Sequence, residues 1–405
     1  MRFHRTLIPL LAAASVAACV HRGASASGQW VATWQAAPQL TEQRNMPPVP
    51  LAAHTIRQNV RLTLGGARLR VRFSNEFGDG PLTIGAARID HSGARDTIGD
   101  ATPTPITFRG IASVTIPAGE AVVSDVIELS ARPLSDFAIT LFLPSVPSGV
   151  TGHPGSRTTS FIVDGDHTRD AAFANPATTE HWYVISRIDV ERPAPSAAIV
   201  VLGNSIADGR GSGTDKNDRW PDNLARRLHD NSATLNVAVL NAGIGGNTIL
   251  RGGLGPTALS RFTRDVLVQP SARWLLISEG VNDIGGARGG DSSAAVAREL
   301  IDAYKLMIDR AHARGFKVYG ATILPFNGSQ YGSSDHEAAR TTVNRWIRES
   351  HAFDAVVDFD AVMRDSADPT RLRRDVDSGD HLHPNEHGYE VMGQAIDLRL
   401  FVASS

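Results

Sequence analysis

The chain has 405 residues, more than one hydrophobic core usually supports, which predicts two domains. Apolar residues make up 42% and charged residues 20% of the sequence, a balance typical of a folded protein rather than a disordered one. The formal net charge of -2 provides no basic surface, so we expect no nucleic-acid partner and no electrostatic binding to an anionic membrane.

The first segment, residues 1–26, predicts export. A short basic start is followed by an apolar stretch that is too short to span a bilayer, the pattern of a signal peptide. The stretch ends at Cys19 in a VAAC sequence, which resembles a bacterial lipobox, so we expect Cys19 to carry a lipid anchor as the only membrane contact. Cleavage after Ala26 is the alternative. Both routes predict a periplasmic, cell-envelope or secreted protein.

Residues 28–190 show the period-two pattern of antiparallel strands, interrupted by Gly, Pro and Asp. Leu69, Val71 and Phe73 alternate with three arginines, which predicts one buried and one solvated strand face. Similar runs occupy residues 82–89, 113–116, 121–129, 137–143 and 182–188. We therefore predict an all-β sandwich or jelly-roll domain, followed by a proline-containing linker at residues 191–195.

In residues 196–405, short apolar runs alternate with amphipathic helices, the pattern of a parallel sheet covered on both faces. The predicted strands occupy residues 198–202, 236–240, 274–278, 316–321 and 355–359. The clearest helix precedes the fourth strand and has Gly315 at its expected C-terminal cap. We predict a three-layer, doubly wound (flavodoxin-like) α/β domain, which binds ligands at the carboxyl ends of its strands.

Three motifs follow the first three predicted strands. Ser205, in GNS, comes directly after the first strand and is expected on a strand-to-helix turn, close to unpaired amides. Gly246 lies in a glycine-rich run that matches neither the P-loop nor the dinucleotide fingerprint, so we expect no phosphate site. Asn282, in GVND, can donate a hydrogen bond to a developing oxyanion. Each motif alone is also compatible with an ordinary turn or helix cap.

A fourth motif, DSGDHLHP, lies near the end of the chain. Its Asp380 can orient one imidazole nitrogen of His383 and leave the other free to take a proton from Ser205. Zinc is the alternative, because His381 and His387 stand nearby. The spacing is not that of HExxH, and the folded domain has no cysteine, so we expect no metal.

The four motifs occur in the order of the four blocks of the SGNH/GDSL hydrolase superfamily, which residues 197–405 resemble. More narrowly, the runs RWPD, AGIGGN, GVNDIG and SGDHLHP resemble the bacterial branch described as similar to xylanase-associated arylesterases and acylhydrolases, whose members often carry an N-terminal β-domain. The resemblance implies that Ser205 is the nucleophile, His383 the base and Asp380 the orienting acid.

The same resemblance implies an oxyanion hole formed by the amides of Ser205 and Gly246 and the side chain of Asn282. One residue departs from the pattern, because Asn204 stands where the family usually has Asp, and this removes a charge. Asn204, in GNS, and Asp283, in GVND, are candidates for substrate contact.

The implied activity is a serine esterase that works through an acyl-enzyme and needs no cofactor. We expect small-molecule or carbohydrate ester substrates, with short acyl (acetyl) groups or aryl esters, because no amphipathic lid helix or long exposed apolar segment is evident. Lysophospholipid or other lipid ester hydrolysis is one alternative, and a catalytically weak, glycan-binding surface lipoprotein is another. His153 and Arg157, in a Gly/Pro-rich loop of the β-domain, are further candidates for substrate contact.

Overall fold

The computed structural model describes residues 28–94, 96–99 and 103–402. The predicted leader, including Cys19 and the alternative cleavage position, lies outside these residues, so export and lipidation stay predictions. Within the described ranges, no helix combines the length and the apolar character that crossing a bilayer requires.

The N-terminal half consists of short strands that pair antiparallel, as the period-two pattern predicts. The strands are β1 (Gln29–Gln35), β2 (Gln39–Leu40), β3 (His54–Arg61), β4 (Leu69–Ser74), β5 (Leu82–Ile84), β6 (Ala86–His91), β7 (Thr104–Ile106), β8 (Val114–Ile116), β9 (Ala121–Val123), β10 (Asp136–Leu143), β11 (Thr151–His153), β12 (Ser160–Asp164), β13 (Ala177–Thr179), β14 (Trp182–Tyr183) and β15 (Ile185–Arg192). A 3-10 turn occupies Gln43–Asn45.

Two larger sheets, in the orders β1-β15-β4-β9 and β13-β12-β3-β10-β6-β7, form the sandwich with two smaller ones, β14-β11-β2 and β5-β8. On β4, Leu69, Val71 and Phe73 are fully buried, while Arg70 and Arg72 form ion pairs with acidic side chains on the other face. The predicted all-β domain is therefore confirmed.

Some predicted strands in this half are too long. The run at residues 82–89 divides at Gly85 into β5 and β6, and the run at 121–129 is a strand only over Ala121–Val123. Directly after β9, the Ser124 hydroxyl accepts a hydrogen bond from Val71 N of β4 at 3.0 Å. A side chain thus takes the place of the main-chain carbonyl that would continue the pairing of β9 with β4.

The C-terminal half contains the parallel sheet, in the order β17-β16-β18-β19-β20. Its strands are β16 (Ala197–Gly203), β17 (Val237–Gly243), β18 (Ala272–Ser278), β19 (Lys317–Ala321) and β20 (Ala355–Val357). In chain order this is 2-1-3-4-5, so the predicted flavodoxin-like arrangement is confirmed. The fifth strand ends earlier than predicted, because the Asp358 side chain accepts from Ala361 N at 3.2 Å and begins a helix at Phe359.

Helices cover the parallel sheet and connect its strands. They are α1 (Ser205–Asp208), α2 (Trp220–His229), α3 (Ala258–Phe262), α4 (Val281–Gly286), α5 (Gly290–His312), α6 (Ser334–Glu349), α7 (Phe359–Met363) and α8 (Glu386–Ala395), with a π-helical turn at Thr263–Leu267 and a 3-10 turn at Leu398–Phe401. The clearest predicted helix, α5, buries its apolar face. Gly315 has a φ of 79°, which lets Phe316 N reach back to Ala311 O at 3.1 Å.

The β-domain packs against one edge of the parallel sheet, at strand β17. Strand β1 packs against the edge strand β17, and the Thr63 hydroxyl accepts from Val239 N at 3.0 Å. Ala32 N also donates across the domain boundary to Pro270 O at 3.1 Å. An exposed strand edge invites pairing with another chain, and the β-domain removes that exposure here.

Candidate active site

Ser205 lies on the turn between β16 and α1. Asn204 is the N-cap of α1, and its Oδ1 accepts from Ile206 N at 3.0 Å. A side chain at Gly203 would bring its Cβ within 2.4 Å of the Ala207 Cβ, so glycine is needed for the helix to turn back closely on the strand. The sequence thus brings the Ser205 hydroxyl to the carboxyl edge of the sheet.

The structure joins the serine, the histidine and the aspartate that the sequence predicted. Ser205 Oγ lies 2.8 Å from His383 Nε2, and His383 Nδ1 lies 2.7 Å from Asp380 Oδ2. The other carboxylate oxygen, Asp380 Oδ1, accepts from the amides of Leu382 and His383 at 3.0 and 2.8 Å. An alcohol, an imidazole and a carboxylate therefore stand in one hydrogen-bonded series.

The local electrostatics suit proton transfer along this series. Partial burial acts to raise the pKa of Asp380, but hydrogen bonds from the His383 amide and imidazole outweigh it and lower the pKa to about 2. Burial lowers the pKa of His383, with Asp380 opposing the shift and Arg210 and Arg157 adding to it. At neutral pH the carboxylate is ionised and the imidazole is neutral, so the imidazole is able to accept a proton.

The three expected oxyanion donors lie after the first three strands of the parallel sheet, on the segments that follow β16, β17 and β18. The amides of Ser205 and Gly246 have no acceptor among the described residues. Ile244 N donates to Gly203 O at 3.0 Å, which holds the glycine loop beside α1. Asn282 Nδ2 gives one hydrogen to Asn247 O at 2.7 Å, and its second hydrogen stays available to a ligand.

Gly246 and Asn282 line a cleft of about 400 Å³, together with Asp283 and Tyr331. The Tyr331 hydroxyl donates to Asn282 Oδ1 at 3.1 Å. This contact helps to fix which end of the side-chain amide is the oxygen and which is the NH2 group. A Cβ at Gly285 would lie 2.3 Å from the Tyr331 ring, so this glycine lets the tyrosine pack over α4. A second cavity, of about 540 Å³, is lined mostly by the β-domain, and neither cavity has a member of the Ser–His–Asp series in its lining.

Asp283 lines the cleft, but its carboxylate is occupied by the protein. Its two oxygens accept from the amides of Ile249 and Leu250, each at 2.9 Å. Burial raises the pKa of this carboxyl to about 6, although the two amides oppose the shift. Asp283 therefore holds the loop that follows Gly246. Its predicted contact with substrate stays a prediction.

The other three residues predicted to contact substrate lie close to the Ser205 turn or to His383, and their contact with substrate stays a prediction. Asn204 is buried beneath the site, where its Nδ2 donates to Glu279 Oε2 at 3.3 Å. His153 is buried as well, with Nε2 at 2.8 Å from Asp208 Oδ1 and Nδ1 at 3.0 Å from Ala37 O. Its role is to join the β-domain to α1. Arg157 is half-buried and near enough to lower the pKa of His383.

The histidines that suggested zinc serve separate partners. His381 Nδ1 pairs with Asp377 Oδ2 at 2.6 Å, and His387 lies 3.7 Å from carboxylates of Asp375 and Glu390. In the part of the chain that the structure describes, no group of three or more His, Cys, Asp or Glu side chains is arranged to hold a metal ion.

Three residues of the site were missed by the sequence reasoning, namely Tyr331, Arg261 and Glu279. Glu279 had a usable signal, because an acid directly at the end of an apolar strand is expected to be buried and to need a partner. The sequence gives no signal for Arg261 or Tyr331, because both lie outside the four motifs and the tertiary fold sets their partners.

A parallel sheet whose edge presents this hydrogen-bonded series beside free amide donors has the architecture of a carboxylic ester hydrolase. Residues 201–391 match the model of the GDSL-like lipase/acylhydrolase family, so this part of the chain is a GDSL-like lipase/acylhydrolase domain and the protein is a carboxylic ester hydrolase. The superfamily resemblance seen in the motifs is thereby confirmed.

Similar solved structures cover about half of the chain. A GDSL-like lipase from Bacteroides thetaiotaomicron is 20% identical over 49% of this chain and 84% of its own, with a TM-score of 0.34. An acetylxylan esterase from Geobacillus stearothermophilus is 17% identical over 51% of this chain and 95% of its own, with a TM-score of 0.39. No curated protein gives a sequence match.

Proposed function

We propose that this protein is an exported serine esterase that removes short acyl groups, above all acetyl, from carbohydrates or aryl alcohols. The observation that carries the proposal is the 2.8 Å contact between Ser205 Oγ and a neutral, carboxylate-oriented His383. An alcohol in contact with such a base is an activated nucleophile.

The proposed reaction has two acyl transfers. In the first, His383 Nε2 takes the Ser205 proton while Oγ bonds to the ester carbonyl carbon, and the carbonyl π electrons move to oxygen. The amides of Ser205 and Gly246 and the side chain of Asn282 hold that oxyanion. As the tetrahedral centre collapses, the bond to the alcohol breaks, and the alcohol leaves with the proton from His383.

The second transfer regenerates the enzyme. A water molecule gives a proton to His383 and attacks the acyl group on Ser205, again through an oxyanion in the same hole. Collapse then releases the carboxylic acid, and the proton returns from His383 to Ser205 Oγ. Asp380 stays ionised throughout and stabilises the imidazolium that forms in each step.

The character of the cleft supports short-acyl substrates over lipid. Among the large apolar side chains exposed in the described residues, Leu254 alone belongs to the loops that form the site, and it is 38% exposed. Docking on a lipid surface needs a broader apolar area than this. Export, with a lipid anchor at Cys19, is proposed from the leader sequence.

A substrate panel on purified protein without residues 1–26 tests the proposal. The panel contains p-nitrophenyl acetate, p-nitrophenyl palmitate, acetylated xylooligosaccharides and a lysophospholipid, with Ser205→Ala as the control. We expect the highest kcat/KM on the acetyl esters and no turnover by the variant. Faster hydrolysis of the palmitate or the lysophospholipid would favour a lipid esterase, and turnover by Ser205→Ala would remove Ser205 from the mechanism.

A further inference from the structure

The short helix that begins with Ser205 is held at its start by its own domain. Helix α1 has four residues, about one turn, and a single turn of helix is not stable by itself. Asn204 caps it by accepting from Ile206 N at 3.0 Å, and Arg261 donates to Gly203 O, just before the cap, at 3.1 Å. Neither contact reaches the other end of α1.

The β-domain holds that other end through a buried histidine. Asp208, the last residue of α1, is 3% exposed, and its Oδ1 lies 2.8 Å from Nε2 of His153 in β11. The Asp208 carboxylate forms no further hydrogen bond among the described residues. Within the turn, Asp208 N donates to Asn204 O at 2.9 Å. Ser205 O accepts from Gly209 N, also at 2.9 Å, so a displacement of Asp208 also displaces Ser205.

The two partners of His153 define where its hydrogens are. Nδ1 lies 3.0 Å from Ala37 O, and a main-chain carbonyl only accepts, so this hydrogen belongs to Nδ1. The 2.8 Å contact between Nε2 and Asp208 then needs a second hydrogen, carried either by the ring or by the carboxyl group. Both charge states form the same hydrogen bond, so the link between the domains does not depend on which atom holds the proton.

Close packing leaves this pair little freedom to move. A Cβ at Gly155, in the loop after β11, would lie 1.7 Å from Asp208 Oδ2, and a Cβ at Gly243, where β17 ends, would lie 2.5 Å from Asp208 N. The ring of Trp182 stacks on His153, with 5.9 Å between centroids and 27° between planes. Stacking and two hydrogen bonds thus fix the imidazole, and a fixed partner can hold a reacting group in place.

We propose that His153 is a positioning residue for the nucleophile, which holds Ser205 within hydrogen-bonding distance of His383 by acting through Asp208. The β-domain is then a part of the catalytic apparatus, because it supplies the residue that fixes one end of α1. The proposal rests on the proposed function, since the position of Ser205 matters for catalysis only if Ser205 is the nucleophile.

Two replacements of His153 separate its two hydrogen bonds. The amide of His153→Gln reaches the position of Nε2 and keeps a donor for Asp208, whereas the shorter side chain of His153→Asn keeps only the donor for Ala37 O. Both variants lose the ring that stacks on Trp182. A role in stability alone therefore affects the two variants alike, and a positioning role through Asp208 affects His153→Asn far more.

The test measures kcat and KM for p-nitrophenyl acetate, together with Tm and the amide hydrogen exchange of residues 204–210. We expect His153→Asn to lower kcat on the order of tenfold to a hundredfold, since small displacements of reacting groups cost this much, with KM changed by about twofold or less. His153→Gln should keep kcat within about threefold of wild type, because its bond to Asp208 is retained. Hydrogen exchange of residues 204–210 should be faster in His153→Asn and close to wild type in His153→Gln.

The matched control is His312→Asn, which removes a similar contact, 2.8 Å from His312 Nε2 to Asp354 Oδ2. This pair lies at the amino ends of the parallel strands, since Asp354 directly precedes β20, and the site lies at their carboxyl ends. We therefore expect wild-type kcat and wild-type exchange of residues 204–210 from this control.

The inference is overturned if His153→Asn has the kcat of wild type, if His153→Gln loses as much as His153→Asn, or if KM rises while kcat is kept, which indicates substrate contact instead. If both variants fold poorly, Asp208→Ala decides, because it removes the same hydrogen bond with His153 intact. It must then lower kcat with KM unchanged, and a wild-type kcat overturns the inference. A wild-type protein that hydrolyses no ester would refute the proposed function instead, while hydrogen exchange of residues 204–210 still tests whether His153 holds α1.

Discussion

The effect of replacing Tyr331 by Phe on kcat can be worked out from one hydrogen bond in the structure. Its hydroxyl donates to Asn282 Oδ1 at 3.1 Å, while the amide nitrogen of Asn282 faces Asn247 O and the cleft. Tyr331→Phe removes this one hydrogen bond and keeps the ring that packs over Gly285. The amide of Asn282 then loses one of the two contacts that fix its orientation and keeps the other, to Asn247 O, so its donor is less well aimed at the oxyanion.

The expected loss follows from the energies of the two interactions. A neutral hydrogen bond contributes about 0.5–1.5 kcal/mol, which corresponds to a fall in kcat of about twofold to tenfold. Removing the oxyanion donor itself, by Asn282→Ala, should lower kcat by about a hundredfold to a thousandfold. Because Tyr331 acts through Asn282, the two losses should not add.

The assay is a double-mutant cycle on p-nitrophenyl acetate, with kcat and KM measured for Tyr331→Phe, Asn282→Ala and the double variant. Tyr319→Phe is the matched control, since it also removes a tyrosine hydroxyl contact, to Leu400 O at 2.5 Å, but lies away from the site. We expect the double variant to match Asn282→Ala in kcat. An equal further loss from Tyr331→Phe in the Asn282→Ala background would refute the reasoning.

Three other predictions concern pH and stability. Neutral His383 is required as base and its pKa is lowered by burial, so kcat/KM should fall with decreasing pH at a midpoint below pH 6.5; a midpoint above 7 would contradict this. The pKa of Asp283 is raised to about 6, so the native state keeps a proton that the unfolded state has lost, and the free energy of unfolding should decrease as the pH rises from 4 to 6. Asp283→Asn should flatten that decrease in denaturant titrations, and an unchanged slope would exclude this carboxyl as its source. Trp220 is fully buried against Phe359, with ring centroids 5.3 Å apart, so Trp220→Ala should lower the free energy of unfolding by about 3–5 kcal/mol, and a loss below 1 kcal/mol would count against this packing.

The main residues of the site could be predicted because a parallel sheet brings its strand ends together. Once the five strands are recognised, Ser205 and Asn282 must lie at one edge of the sheet. His383 follows the fifth strand, and its contact with Ser205 is seen only in the structure. Strand periodicity therefore carries information about contacts between residues that are far apart in the chain.

The protein contacts of the residues beside Ser205 and Asn282 could not be predicted. Asn204 and Asp283 lie within the motifs, which suggested substrate contact, and the structure shows that both are buried and bond to protein groups. A residue next to a site often holds the backbone of that site, and the sequence pattern does not separate this task from ligand binding. Arg261 is harder still, because its acceptors are mostly main-chain and amide oxygens, which leave no trace in residue type.

Labelling with a fluorophosphonate tests the central claim most directly, because the reagent reacts far faster with an activated serine than with an ordinary hydroxyl group. The purified protein without residues 1–26 is treated with the reagent, and the adduct is located by intact mass and peptide mapping. The account predicts one adduct, on Ser205, that is absent from Ser205→Ala and forms much more slowly in His383→Ala. A folded protein that takes up no label, or that is labelled at another serine, would contradict it.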